Sequence, residues 1–304
     1  MIGALDIGGT KIAAGLVDRQ GHLLAHTERP TQLQKSFAES LAHMAIMLRQ
    51  LSSQVGEPIE GIGVGCTGPV DPQTGMLGEI EFMSDWNGIN LVQALEQALG
   101  VRVAIENDAD AAALGEWAWG AGRGKKQFML VTVGTGIGAG LILDGKLYRG
   151  VNGAHPEIGH HIIDPAGPLC FCGGHGCWES LASGPAMERW AQANNPDQGW
   201  QSAQQLCQAA QAGQPLALAA VQREARYLGL GLANLVTLFT PEVIALGGGL
   251  MQSLPLFLPT IQDTIRSTCG LVPHTAVSVI PAALGHRTGL IGAARVWTNR
   301  FEGG

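Results

Sequence analysis

MIGALDIGGTKIAAGLVD (residues 1–18) and LVTVGTGIGAGLILD (residues 130–144) are built to one plan. In each, an apolar run of strand length leads into a turn of small residues, Gly8-Gly9-Thr10 or Gly134-Thr135-Gly136, and a second apolar run follows. Each passage turns again at a glycine, Gly21 or Gly145, before Leu23-Leu24 or Leu147-Tyr148. Both therefore read as a β-hairpin with a glycine-rich tip that feeds a third strand. One residue must be inserted mid-hairpin to keep Gly15 on Gly140, and duplication of a β-domain is the simplest account.

Glycine has no Cβ and tolerates positive φ, so successive backbone N–H groups at such a tip can converge on an anion. Thr10 and Thr135 each add a hydroxyl donor, and Lys11 adds a positive charge. Two such tips facing each other would hold a polyphosphate from both sides. Either tip alone reads more simply as an ordinary hairpin turn. The pair is more telling, with Asp6 ahead of the first tip and a third cluster, Gly247-Gly248-Gly249, after the apolar run Val243-Ile244-Ala245.

The chain has 304 residues, 46% hydrophobic and 14% charged, enough for two domains with substantial cores. No apolar run of about 18 residues calls for a membrane span. A net charge of −7 without a dense Lys/Arg run argues against a nucleic-acid surface. The start runs directly into a strand, so a cytoplasmic location is expected. Of the six cysteines, Cys66, Cys207 and Cys269 stand alone, whereas Cys170, Cys172 and Cys177 are clustered, which reads as a metal site before it reads as disulfides.

Helical spacing of apolar residues predicts helices over 36–53, 91–99, 109–119, 185–194, 201–212, 215–239, 256–267 and 290–298. Strands are expected at 62–65, 101–105, 243–246 and 277–280. Asn107-Asp108 precede the helix from Ala109 as natural capping residues. The turn Thr67-Gly68-Pro69 ends the strand before it. Hairpin-plus-αβα twice over predicts an N-terminal α/β lobe at 1–119 and a C-terminal lobe at 120–288, with a helix at about 289–304 packing back on the first. Residues 120–125 read as a hinge between lobes that flank a cleft.

The segment EIGHH (157–161) and then CFCGGHGCWE (170–179) offers three thiolates and an imidazole, the donor set of a closed tetrahedral zinc site. His160 is the expected fourth ligand beside Cys170, Cys172 and Cys177; His155, His161 and His175 compete with it. Such a site leaves no open position, so the metal would be structural. Metal-free buried thiols are the plainer alternative.

Taken together, DIGGTK (6–11), ENDADAAA (106–113), VGTGIGAG (133–140), EIGH (157–160) and CFCGGHGCWE resemble the ROK family of sugar kinases and sugar-sensing repressors, over nearly the whole chain. The resemblance implies a two-lobed actin-like, ribonuclease-H-type α/β ATPase fold with a structural zinc loop, binding ATP, Mg²⁺ and a hexose. It implies that Asp6 holds Mg²⁺, that Gly8, Gly9, Thr10, Lys11, Gly134, Thr135 and Gly136 meet the phosphates, and that Gly247, Gly248 and Gly249 lie against the adenosine. By the same comparison Gly68, Asn107, Asp108, Glu157, His160 and Glu179 ring the sugar. Asp108 is the expected catalytic acceptor of the hydroxyl proton, a role that suits a carboxylate held ionised at a helix start.

The expected activity is ATP-dependent phosphorylation of a sugar 6-hydroxyl. Only five residues precede Asp6, so no DNA-binding helix-turn-helix is expected before the first hairpin, and a non-catalytic sugar sensor is the weaker reading. Glucokinases of the family carry an Asn in a Pro-Asn-Leu-Pro-Gly-Trp-like stretch where this chain has Phe82. DWNGINL (85–91) resembles N-acetylmannosamine kinases, so N-acetylmannosamine is the first expected substrate, with glucose or another hexose the alternative. The expected partners are sugar and nucleotide, with no nucleic acid and no membrane, in a homodimer or higher homo-oligomer.

Overall fold

The structure, a computed structural model, describes residues 1–31 and 36–303. Gly304, the last residue of the expected terminal helix, lies outside them. In chain order the first half holds β1 (Ile2–Ile7), β2 (Lys11–Val17), β3 (Leu23–Pro30), α1 (Phe37–Val55), β4 (Gly61–Cys66), α2 (Leu91–Leu99), β5 (Arg102–Asn107) and α3 (Asp108–Trp119). The second half holds β6 (Phe128–Val133), β7 (Ile137–Leu143), β8 (Lys146–Leu147), α4 (Trp178–Ala182), α5 (Gly184–Asn194), α6 (Ala203–Gln211) and α7 (Pro215–Phe239). It ends with β9 (Val243–Gly247), α8 (Leu254–Thr268), β10 (Ser278–Pro281) and α9 (Thr288–Phe301).

The strands form two five-stranded sheets, β3-β2-β1-β4-β5 and β10-β9-β6-β7-β8. Read in opposite directions the two orders are the same, which is the duplication expected from the paired hairpins. In the first sheet β1 runs antiparallel to β2 and parallel to β4, and β4 runs parallel to β5. In the second, β9 is parallel to both β6 and β10. Helix ends follow local chemistry. Ser36 and Glu39 form a reciprocal capping box at the start of α1, and Gly56 ends it at φ +79°.

The described chain divides into two compact units. One comprises Met1–Gly124, Gly140–Pro156 and Ala283–Gly304, the other Lys125–Ala139 and Glu157–Ala282. Sequence places all of 120–288 in the second lobe. Gly140–Pro156 groups with the first unit because Arg149 and His155 bond to Glu106 and Asp110.

The first unit is organised by β4, whose alternating glycines leave one face bare. A Cβ on Gly63 would collide with the Ala293 carbonyl of α9, and one on Gly292 would collide with the Ala111 carbonyl of α3. Both helices therefore lie directly on the strand and on each other. Ile62 and Val64 point the opposite way, into a core with Met44 and Leu48 of α1 and Leu91 and Leu95 of α2. Each such aliphatic side chain contributes about 1.5–3 kcal/mol by burial. At the far end of α3 the carboxylate of Glu116, fully buried, accepts from the N–H groups of Ala121, Ala283 and Leu284. One anion thus anchors both the exit from α3 and the chain leading into α9.

In the second unit α7 is the spine, packed by α4, α5, α6 and α8. Trp178 is fully buried, donates from Nε1 to the Tyr227 carbonyl at 3.0 Å, and fills the space over Gly231. Further along α7, Glu224 is 0% exposed and neither of its carboxylate oxygens has a hydrogen-bond partner among the described residues. Arg223 Nη1 stands 3.9 Å away. Burial pushes the Glu224 carboxyl well above its ordinary range, opposed by the charges of Arg223 and Arg189. A raised folded-state pKa favours the neutral acid, so this residue's contribution to stability is greatest below the unfolded carboxylate pKa and is lost as pH rises through the folded value. Glu224→Met is therefore expected to stabilise the protein by about 1–3 kcal/mol at pH 8, with the gain shrinking as pH falls. Paired thermal or urea melts of the two proteins across pH 4.5–8 check this; a destabilised variant at pH 8 contradicts it.

Candidate active site

In the first unit the parallel pairing carries the site. Asp6 near the end of β1 is level with Gly65 of β4, and Gly65 is level with Glu106 of β5, so Asp6 and the Asn107-Asp108 step meet at the C-terminal edge of the sheet. The Asp6 carboxyl is pushed up to about 6, by burial first and by the Asp108 charge second, with Lys11 opposing. Gly289 at the start of α9 faces Asp6 so closely that a Cβ there would collide with the carboxylate. Cys66 lies in the same group: burial, then the charges of Asp108 and Asp6, push its thiol up. Its nearness to both carboxylates was not legible in its isolated place in the sequence.

Asn107 acts as the N-cap of α3, its Oδ1 accepting from Ala109 N at 2.9 Å and Asp110 N at 3.4 Å. Asp108 Oδ1 accepts from Ala109 N at 2.7 Å. These bonds fix both side chains at the positive end of the helix, where acceptor groups meet unpaired backbone N–H donors. Gly68 has φ +87°, and a Cβ there would come within 2.5 Å of Ile80, so its backbone course is reserved for glycine.

The first glycine tip is closed by Gly8 N donating to the Lys11 carbonyl at 2.9 Å. Thr31, which sequence reading passed over, braces it: its hydroxyl donates to the Gly8 carbonyl at 2.7 Å and its N–H to the Thr10 carbonyl at 2.9 Å. Thr10 is exposed. Lys11 pairs through Nζ with Glu28 Oε2 at 2.9 Å, on the outer side of the hairpin. Phe82, 49% exposed, lays its ring over Gly9: a Cβ on Gly9 would lie 2.8 Å from Cε2. Trp86 behind it is buried edge-on against Phe37.

In the second unit the other tip gathers the remaining groups. Gly134 N donates to the Gly136 carbonyl at 2.9 Å, leaving Thr135 at the apex, and Gly184 N at the start of α5 donates to the Gly134 carbonyl at 2.8 Å. Glu179, in the first turn of α4, accepts from Ile137 N at 2.8 Å, directly beside Gly136. Gly248 adopts φ +90° against the Val133 backbone, which brings Gly247, Gly248 and Gly249 to the base of the tip. Gly159 packs against the Ile137 carbonyl, so the turn that carries Glu157 and His160 is seated on the start of β7. Glu157 itself is exposed.

The cysteine loop continues from that turn. His160, Cys170, Cys172 and Cys177 bring their donor atoms within 4.8 Å of one another. His160 Nδ1 is 3.5 Å from Cys170 Sγ, and Cys172 Sγ is 3.5 Å from Cys177 Sγ. These spacings approach the edge of about 3.8 Å that follows from tetrahedral Zn–S bonds of about 2.3 Å, so the donor set fits zinc. The three competing histidines are engaged elsewhere: His155 on Asp110, His161 on the Ile158 carbonyl and Trp178, His175 on the Gly167 carbonyl. Gly176 makes the reversal possible, at φ +68° and so close to Asp164 that a Cβ would strike its carbonyl.

Two mixed sheets of equal strand order, each with a glycine tip, make an α/β fold shared with solved sugar kinases. Residues 2–300 match the ROK family model, and the chain belongs to the ROK family. It is similar to a glucokinase of Streptomyces coelicolor, 37% identical over 95% of each chain. It is also similar to a Streptomyces griseus ROK family glucokinase solved with glucose and AMPPNP, at TM-score 0.83 and 35% identity over 96% of this chain and 97% of that one. A Listeria monocytogenes protein described as a candidate N-acetylmannosamine kinase matches at TM-score 0.83 and 27% identity, over 98% of this chain and 99% of that one.

The loop seats Glu179 and the turn bearing Glu157 through His160, so losing a ligand should loosen the second tip as well as the loop. Purified protein is expected to carry about one zinc per chain by elemental analysis, and Cys172→Ser to lower both the melting temperature and sugar affinity. A metal-free preparation with full stability and binding contradicts the assignment.

Proposed function

We propose that this chain is an ATP-dependent hexose kinase that phosphorylates a sugar 6-hydroxyl. The observation that carries the reading is the meeting of Asp6 and Asp108 at the C-terminal edge of β1, β4 and β5, next to a glycine tip, which is where open α/β sheets bind ligands. Two carboxylates at one edge can divide the work: one to hold a cation, one to take a proton.

In this reading Asp108 accepts the proton of the sugar hydroxyl as it attacks the terminal phosphorus. Asn107, held by its capping bonds, orients the sugar beside it, with Glu157, His160 and Glu179 meeting further hydroxyls. Backbone N–H groups of Gly8–Thr10 and of Gly134–Gly136 supply positive potential to phosphate oxygens, and Gly247–Gly249 give the nucleotide a surface free of side chains. Asp6 fits Mg²⁺, since a partly buried carboxylate with a raised pKa gains most from a neighbouring cation; when bound, the ion neutralises charge on the phosphates. The zinc loop acts only by fixing His160 and the residues around it.

Asp108→Asn keeps the shape of the side chain but removes the base. It is expected to lower kcat by roughly 10²- to 10⁴-fold while calorimetric sugar affinity stays within about tenfold. Near-normal turnover removes Asp108 from the mechanism.

For the sugar, similarity to glucokinases at 35–37% identity supports glucose first. N-acetylmannosamine is the second reading, and one observation favours it: Phe82 presents an exposed apolar ring at the first tip, able to cover an acetyl methyl worth on the order of 1 kcal/mol. An ATP-coupled assay across glucose, mannose, N-acetylmannosamine and N-acetylglucosamine is expected to give glucose the highest kcat/KM. An N-acetylhexosamine ahead by about tenfold or more reverses the assignment.

A further inference from the structure

Two carboxylates bracket the Asn107-Asp108 step: Glu106 stands just before it in β5, and Asp110 lies just after it in the first turn of α3. One side chain grips both. Arg149 donates from Nη2 to Glu106 Oε2 and from Nη1 to Asp110 Oδ2. His155, from the same short segment, brings Nδ1 to 2.7 Å from that same Asp110 oxygen. Asp110 is 0% exposed, and its other oxygen, Oδ1, has no hydrogen-bond partner among the described residues. Glu106 is half-buried, with its carboxyl pushed up to about 7 by burial and held down by Arg149.

A network of this kind is a poor way to gain stability. Desolvating two carboxylates, a guanidinium and an imidazole costs about what their attraction returns, and apolar residues of like volume would serve as well. Its distinctive effect is geometric. The fork of Arg149 is planar and rigid, so it sets the spacing of Glu106 and Asp110, and with it the course of the backbone between them. Asn107 and Asp108 are the residues so confined. His155 locks Asp110 from a second direction, leaving the first turn of α3 little freedom to rotate.

We propose that Arg149 and His155 are positioning residues, a strap that holds the strand-to-helix step so that Asn107 and Asp108 keep the geometry the reaction needs. The inference rests on the kinase reading above and on Asp108 as its base. Neither side chain is required to touch the sugar; their effect passes through Glu106 and Asp110. A misplacement of about 1 Å at a reacting group can cost on the order of 100-fold in rate, so loss of the strap should be read in turnover more than in binding.

The test uses the full chain with Mg·ATP and its best sugar, with turnover normalised to folded protein. His155→Ala and Arg149→Met are expected to lower kcat by roughly 10- to 100-fold, with KM for ATP and calorimetric sugar affinity changed less than about threefold. His155→Asn keeps a donor near the position of Nδ1 and should recover most of the loss. His155→Ala combined with Asp110→Asn should be little worse than the poorer single variant, because the pair acts as one unit. Unchanged kcat per folded molecule in His155→Ala and Arg149→Met overturns the proposal, as does a His155→Asn variant no better than His155→Ala. If Arg149→Met fails to fold, the His155 series decides alone. Turnover abolished by Asp108→Asn but indifferent to His155 sinks the strap and leaves the kinase reading; turnover that survives Asp108→Asn removes Asp108 as the base and the strap with it, and a wild-type protein that turns over no sugar sinks the kinase reading itself.

Discussion

The first unit depends on the close approach of α3 and α9 to the bare face of β4. Gly63 and Gly292 admit backbone carbonyls where any side chain would collide, so helix meets strand and helix meets helix at backbone distance. That approach sets where α3 begins, and therefore where Asp108 stands. It also brings the start of α9 against Asp6. The geometry of the two carboxylates is thus a consequence of packing, with interiors too dense to let either helix drift.

Charge is then concentrated where packing has put it. Burial and the neighbouring Asp108 charge make ionisation of Asp6 costly, an arrangement that invites a cation. Glu106 and Asp110, two residues to either side of Asp108, are compensated by Arg149 and His155. At the other end of α3, Glu116 satisfies three backbone donors from two separate stretches of chain. A single helix of twelve residues therefore carries at one end the carboxylate proposed as the base and at the other one that bonds backbone donors. Their environments, not their residue type, separate the roles.

In the second unit the cysteine loop does for its tip what β4 does for the first. His160 lies one residue beyond Gly159, which is pressed on β7, and Cys177 immediately precedes α4, whose Glu179 bonds Ile137. A metal joining His160 to Cys177 would close a ring around the start of β7. Buried Trp178 then anchors α4 on α7, so the loop is tied to the core at both ends.

Much of this is legible in the sequence. Periodicity located α2 and α7 to the residue, and the glycine tips and cysteine spacing marked the phosphate and metal candidates, because these signals are local: strand alternation, helical spacing, turn chemistry and ligand type are written in adjacent residues. Sequence by itself thus determined the two repeated α/β halves, the family and the kinds of residue available for chemistry. What it left open were questions of partner. Four histidines competed for one ligand position until the fold put His160 beside the thiols and turned His155 toward Asp110. Lys11 has the charge to meet a phosphate, and its pairing with Glu28 across strands is visible only in the fold. Cys66, Thr31, Glu116 and Arg149 carried no local mark at all, since each acts on residues far away in the chain. Only the tertiary structure decided these, because hydrogen bonds and ion pairs between distant segments are set by the packing of backbones that no short stretch of sequence specifies.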